Sequence, residues 1–266
     1  MKGLFLGLVL AHTVHAVFMN WREVRAQPSD ATGTDSGPDA TAPPRRRKRL
    51  ALIIQLPVFY IACYFAYRQG MFSRELVSPI HIGLGLLAGH MVFGISLLIT
   101  HNSLSTSWEH FIDLGALWDY ALESPVILGR FILVAFAEEV IWRVAAQPIL
   151  VDLLRGGAAA LIGPAGAGWG VAAAILLVAV LFSIAHKHFF QNTLLVSVEF
   201  LGFAILLGLL YYWTTSFILV IVIHALRDVE IAYLEYLIKV EELGDKELAA
   251  KEIERSIVKY PRPENP

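Results

Sequence analysis

Apolar residues come in long blocks along this chain, at 3–20, 50–67, 79–100, 125–151, 169–186, 193–213 and 214–233. Blocks of about 17–25 such residues suit helices that cross the hydrocarbon core of a bilayer. The pattern predicts an all-α, polytopic membrane bundle of about seven transmembrane helices. Between the blocks, 26–44 (AQPSDATGTDSGPDATAPP) has a linker composition that cannot bury a core. The Gly/Ala-rich stretch 156–168 reads as a loop or re-entrant turn, and 102–124, which mixes aromatic and acidic residues, as an interfacial helix. From Asp245 a helical pattern returns with Ala249, Ile253 and Ile257 on one face, suited to a membrane surface or a partner. Three regions follow: an N-terminal helix and linker at 1–49, a membrane core at 50–233 and a charged tail at 234–266. No internal repeat is evident, which counts against the repeat-built transporters.

Composition strengthens the membrane reading: 56% of the 266 residues are hydrophobic and 17% charged, with a mean hydropathy of +0.60. These values are too apolar for an ordinary soluble domain. The basic run Arg45, Arg46, Arg47, Lys48 and Arg49 abuts an apolar block, the place of a topology anchor and not of a nucleic-acid patch. Positive residues stay in the cytoplasm, so 21–49 is expected inside, 68–78 outside, 101–124 inside and 152–168 outside. The same rule puts the loop at Lys187 inside, 212–216 outside, and the tail with Lys239, Lys246 and Lys251 in the cytoplasm. The first block could be a secretory signal ending near Ala16, but the positive charges after it favour an uncleaved helix. The layout suggests a bacterial inner membrane. The single cysteine, Cys63, provides neither a disulfide framework nor a thiolate metal site within the chain.

Two adjacent carboxylates, Glu138 and Glu139, interrupt the block at 125–151. Charged groups near the centre of a spanning helix cost roughly 2.5–3.5 kcal/mol each on insertion scales. Neighbouring carboxylates also repel, so one of them holds its proton unusually well. Arg143 follows Glu139 by four, and the same spacing recurs in Phe182 and His186 and in His224 and Asp228. By the expected topology Glu138 lies near mid-membrane, with His186, His224 and Asp228 on its cytoplasmic side, and all could converge on one cavity.

These residue types suit hydrolysis. A carboxylate in a dry pocket can take a proton from water and hand it to a leaving amine. Imidazoles can hold that water or donate to a developing oxyanion. Asp228, one turn from His224, could fix the ring's tautomer, while Arg143 keeps Glu139 ionised and leaves Glu138 with the poised proton. Glu138, His186, His224 and Asp228 would equally make a zinc site, although the H-E-x-x-H spacing is missing. A proton-coupled carrier using the glutamates as a relay, or a pseudo-enzyme binding partners through its tail, is the alternative from another class.

Blander roles stand beside these. Glu139 and Arg143 alone could be a structural bridge, and Asp228 could pair with Arg227. His12, His15, His81, His90, His101, His110 and His188 read as interfacial residues, and Glu199 has no assigned role. Gly85 and Gly89 are spaced for close helix approach.

Glu138-Glu139-x-x-x-Arg143, Phe182-x-x-x-His186 and His224-x-x-x-Asp228, in that order on three hydrophobic helices, resemble the CPBP family. This group comprises CAAX-type prenyl endopeptidases and bacteriocin-processing proteins, also called glutamic-type intramembrane proteases. The similarity covers about 125–233. It implies a helical intramembrane endopeptidase in which Glu138 activates water and His186, His224 and Asp228 complete the site. Glu139 and Arg143 act in support, and no cofactor is required, zinc being the alternative. It further implies membrane lipid and a protein or peptide substrate, lipidated or with a spanning segment, as partners. Val144 stands where a glycine often follows the motif arginine, and Asp228 replaces the common Asn. An ionised aspartate cannot donate the hydrogen bond that an amide could.

Overall fold

The structure is a computed structural model that describes residues 1–26, 45–71, 78–101 and 114–258. Every regular element among the described residues is helical. In chain order these are α1 (Lys2–Ala26), α2 (Arg45–Arg68), α3 (Pro79–His101), α4 (Leu114–Glu123) and α5 (Pro125–Glu139). A π-helical segment (Val140–Ala146) then leads into α6 (Gln147–Ile162), α7 (Gly166–Ala185), the short α8 (His188–Gln191) and α9 (Leu194–Thr214). The chain continues through α10 (Phe217–Leu243) to α11 (Lys246–Val258).

Four described helices are long and apolar enough to cross a membrane: Lys2–Arg22, Pro79–Thr100, Gly166–Ala185 and Leu194–Thr214. The apolar part of α2, Ile53–Arg68, is shorter. The blocks at 125–151 and 214–233 carry the charged residues that hold hydropathy down, among them Glu138, Glu139, Arg143, Arg227, Asp228 and Glu230. Exposed Leu84, Leu87, Met91 and Ile95 of α3 and Leu176 and Leu177 of α7 are side chains that a bilayer would cover. The fold is thus a helical membrane bundle.

The chain forms two compact units, Met1–Arg74 with Val140–Thr215, and Glu75–Glu139 with Ser216–Pro266. In the first unit α6 and α7 form a tight hairpin. Its turn is Gly163–Ala165, with Gly163 at φ 80, a left-handed conformation that a side chain would strain. A Cβ on Gly166 would lie 2.4 Å from the Ala158 carbonyl oxygen, and one on Gly170 would lie 2.3 Å from that of Leu154. The loop or re-entrant turn expected at 156–168 narrows to a turn at 163–165: helix continues to Ile162, and Gly166 and Gly170 let two helix backbones touch. Phe5 meets Phe65 edge-on at 5.6 Å, and Asn20 Nδ2 donates to the Ala185 carbonyl at 3.3 Å, fixing α1 against α2 and the end of α7.

In the second unit α3 lies against α10 through small residues. A Cβ on Gly85 would come within 2.8 Å of Val222 Cβ, and one on Gly89 within 3.2 Å of Ile223 Cα. Ser216 caps α10, its Oγ accepting from the Leu219 amide at 3.3 Å, and Gly244 at φ 67 ends it. The tail helix α11 turns back onto its own unit. Ala249 and Ile253 are buried, and Ile253 joins Leu117, Tyr120, Ile127, Val229 and Tyr233 in one apolar cluster. The apolar face expected to seek a membrane surface or a partner is thus covered from within, and burying the Ile253 side chain contributes about 2 kcal/mol. Residues 27–44 of the linker, 102–113 of the interfacial segment and the side chain of Ile257 lie outside what is described.

Candidate active site

α5 ends at the glutamate pair, and α10 presents His224 and Asp228 one turn apart. His224 Nδ1 lies 2.8 Å from Glu139 Oε1. An ionised carboxylate can only accept, so with Glu139 ionised the Nδ1–H donates and the ring orientation is set. The other ring nitrogen, Nε2, lies 3.7 Å from Glu138 Oε2 and 3.7 Å from Asp228 Oδ2. These separations are ion-pair distances, too long for hydrogen bonds. The imidazole is thus anchored on one edge and faces two carboxylates with the other. The bond that fixes it comes from Glu139, where spacing alone pointed to Asp228.

Exposure divides the set in two. The Glu139 side chain is 0% exposed and that of His224 4%, whereas Glu138 is 26% and Asp228 23% exposed. Glu139 and His224 form a buried anchor, and Glu138 and Asp228 are the groups an incoming molecule can reach. One helical turn earlier than His224, Val220 is fully buried, and the Phe217 ring packs at a tilt against Phe136 of α5, 5.5 Å between centroids. Apolar packing between α5 and α10 therefore holds the carboxylates opposite the ring.

The remaining motif residues belong to the other unit. The π segment begins at Val140, directly after the glutamates, and its wider turns replace the α-helical spacing from which Arg143 was read. Arg143 is fully buried; one guanidinium nitrogen donates to the Ala204 carbonyl of α9 at 3.2 Å, and its Cζ lies 5.0 Å over the Phe182 ring. One turn along, Gln147 Nε2 donates to the Gly208 carbonyl at 2.8 Å. His186 stands just past the end of α7 in extended backbone, its Nδ1 2.7 Å from the Phe182 carbonyl oxygen. Its ring lies 4.5 Å from that of Phe182 and 5.3 Å from that of Phe200.

Three residues that carry polar contacts escaped the sequence reading. Gln147 continues the four-residue spacing of Glu139 and Arg143, a signal available in the sequence. His90 Nδ1 lies 2.7 Å from Glu230 Oε1, and the Glu230 side chain is 1% exposed. No spacing in the sequence singles out Glu230, and His90 reads there as an interfacial residue. Among the described residues no group of three or more His, Cys, Asp or Glu side chains is disposed to hold a metal ion. His224 Nδ1 is already committed to Glu139, which leaves one ring nitrogen for any ligand.

A helical membrane protein with paired carboxylates set against a buried imidazole is the class defined by fold and site. Residues 121–229 match the family model of the type II CAAX prenyl endopeptidases, Rce1-like. Over that segment the chain is similar to the Rce1-like endopeptidases, in keeping with the resemblance of its motifs to the CPBP and CAAX proteases. No curated protein and no solved structure matches the chain. The matched segment holds Glu138, Glu139, Arg143, His186, His224 and Asp228. Four long apolar helices, with the match to a membrane-protease family over 121–229, mark an integral membrane protein.

Proposed function

We propose that the protein is an intramembrane endopeptidase that hydrolyses a peptide bond of a membrane-associated protein or peptide. The observation that carries this reading is the placement of His224 between the buried Glu139 and the accessible Glu138. Glu138 takes a proton from water, the resulting hydroxide adds to the scissile carbonyl, and the carboxylic acid returns the proton to the leaving amine. His224, held by Glu139, turns Nε2 toward the reacting centre and stabilises charge as it develops. Asp228, at 3.7 Å from the same nitrogen, biases that ring electrostatically. His186 and Arg143 enter on the family motif: His186 as a second imidazole, Arg143 as the residue that ties the segment after Glu139 to α9.

No metal is required in this scheme. A bound zinc ion would supply a Lewis acid instead, and chelation separates the two routes. The family match does not favour a proton-coupled carrier, in which the glutamates would titrate and peptides would stay intact. The partners are membrane lipid and a substrate with a lipid or a spanning segment; the site faces the cytoplasm of a bacterial inner membrane, with the C-terminus inside.

The test is a comparison of protein termini in cells carrying wild type or Glu138→Gln at matched membrane levels. New termini on membrane-associated proteins that vanish in the variant establish proteolysis and name the substrate. Identical termini with a well-folded variant refute it.

A further inference from the structure

We propose that His90 and Glu230 form a positioning latch that sets the rotation of α10 and thereby aims His224 at the glutamates. This rests on the endopeptidase reading for its consequence in catalysis, though not for its geometry. Both residues lie outside 121–229, the stretch that the family shares. The latch belongs to the setting of the site in this chain.

Glu230 is nearly fully buried on an apolar helix, where an unpartnered carboxylate is expensive. Its Oε1 takes the Nδ1 of His90 at 2.7 Å, a short and direct contact. Two residues past Asp228 is roughly 200° around an α-helix, so Glu230 faces away from the Asp228 side. α10 is therefore held on two sides: by carboxylates of α5 on His224, and by α3 on Glu230.

The contact with α3 is too close to be loose. Gly85 abuts Val222, Gly89 abuts Ile223 and Leu226, and His90 comes next in the chain to meet Glu230. These pairs rise together along both helices, so α3 and α10 run in the same direction. Val222 and Ile223 immediately precede His224. The backbone of α3 is thus seated on the very turn that carries the imidazole, and the His90–Glu230 contact fixes how that turn is rotated. A few degrees of rotation would move Nε2 relative to Glu138, because the ring stands off the helix axis. Polar pairs of this kind specify one register where apolar packing alone would tolerate several.

The full-length protein in lipid vesicles provides the test. Histidine nitrogens are labelled with ¹⁵N, and the His224 imidazole signals are identified by their loss in His224→Gln. His90→Phe keeps an aromatic ring and loses the nitrogen that meets Glu230; Glu230→Met keeps the length and loses the carboxyl group; Glu230→Gln retains a polar group that can donate or accept. His90→Phe and Glu230→Met are expected to shift the His224 signals. They should also reduce the termini that disappear in Glu138→Gln by about 10- to 100-fold per folded molecule, the cost of a small misplacement of a reacting group. Glu230→Gln should recover most of both. If His90→Phe does not fold, Glu230→Met carries the test alone. Folded His90→Phe or Glu230→Met with wild-type His224 signals and wild-type cleavage would overturn the latch. Termini that Glu138→Gln leaves unchanged, alongside shifted His224 signals in His90→Phe, would overturn the endopeptidase reading and leave the latch standing.

Discussion

The α5–α10 pair and the α6–α9 pair both bury polar side chains between apolar helices, but they commit them differently. Between α5 and α10, ionisable groups face one another: Glu139 holds His224, whose free edge looks toward Glu138 and Asp228. Between the π segment with α6 and helix α9, the polar groups are spent on backbone. Arg143 donates to the Ala204 carbonyl and Gln147 to the Gly208 carbonyl, one turn apart, and Gly208 leaves the room that Gln147 needs. A donor on a carbonyl is satisfied and stationary. A carboxylate opposite an imidazole can exchange a proton. In the proposed endopeptidase the first pair carries the chemistry and the second the support.

The largest effect expected to follow from this contrast is that of Glu138→Gln. Removing the base that activates water should lower cleavage by about 10²–10⁴-fold, measured as product per folded molecule, with folding unchanged. His224→Gln and Glu139→Gln come next, at roughly 10²-fold, because each breaks the anchored imidazole and its electrostatic role. Asp228→Asn should cost less, about tenfold by the lower end of charge and orientation effects on a neighbouring base. If Asp228→Asn were more damaging than Glu139→Gln, the assignment of the anchor to Glu139 would be wrong.

On the supporting side the readout is stability. Arg143→Ala should lower unfolding stability by about 3 kcal/mol, through a lost charged hydrogen bond and the stack on Phe182. Gln147→Leu should cost roughly 1–2 kcal/mol, the price of one buried hydrogen bond. Gly208→Ala belongs in the same range, about 1–3 kcal/mol, since its Cβ would press on Ile175 Cγ2 at 2.9 Å and on Gln147 Oε1 at 3.2 Å. Thermal unfolding in detergent, followed by the fraction still soluble, checks all three. Should Gln147→Leu abolish cleavage at full stability, the division between chemistry and support would fall. The smallest expected effect is that of chelation: EDTA or phenanthroline should leave the cleavage rate unchanged, and a loss restored by zinc would replace the glutamate route with a metal one.

Much of this was legible in the sequence. Long apolar blocks announced the helices, and Glu138, Glu139, His224 and Asp228 stood out because ionisable groups are rare in such blocks. Boundaries were less legible where composition has two uses. Glycine both bends chains and lets helices touch, so 156–168 looked like a loop although Gly166 and Gly170 serve contact. Amphipathic pattern gives a buried face without saying what buries it, so α11 read as a membrane or partner helix and packs on α4, α5 and α10 instead. Which carboxylate holds the His224 ring could not be seen at all. Asp228 has the right spacing along one helix, whereas Glu139 reaches the ring from another. His90 and Glu230 were hidden for the same reason: 140 residues separate them in the chain.

The most direct measurement takes a protein whose terminus is lost in Glu138→Gln cells and presents it to purified wild type and Glu138→Gln in vesicles made with ¹⁸O-labelled water. Wild type should release a fragment whose new carboxyl terminus carries one ¹⁸O, and the variant should bind the same protein and cut it at least about 100-fold more slowly. Cleavage by folded Glu138→Gln at the wild-type rate would contradict the role of Glu138 and, with it, the centre built around His224.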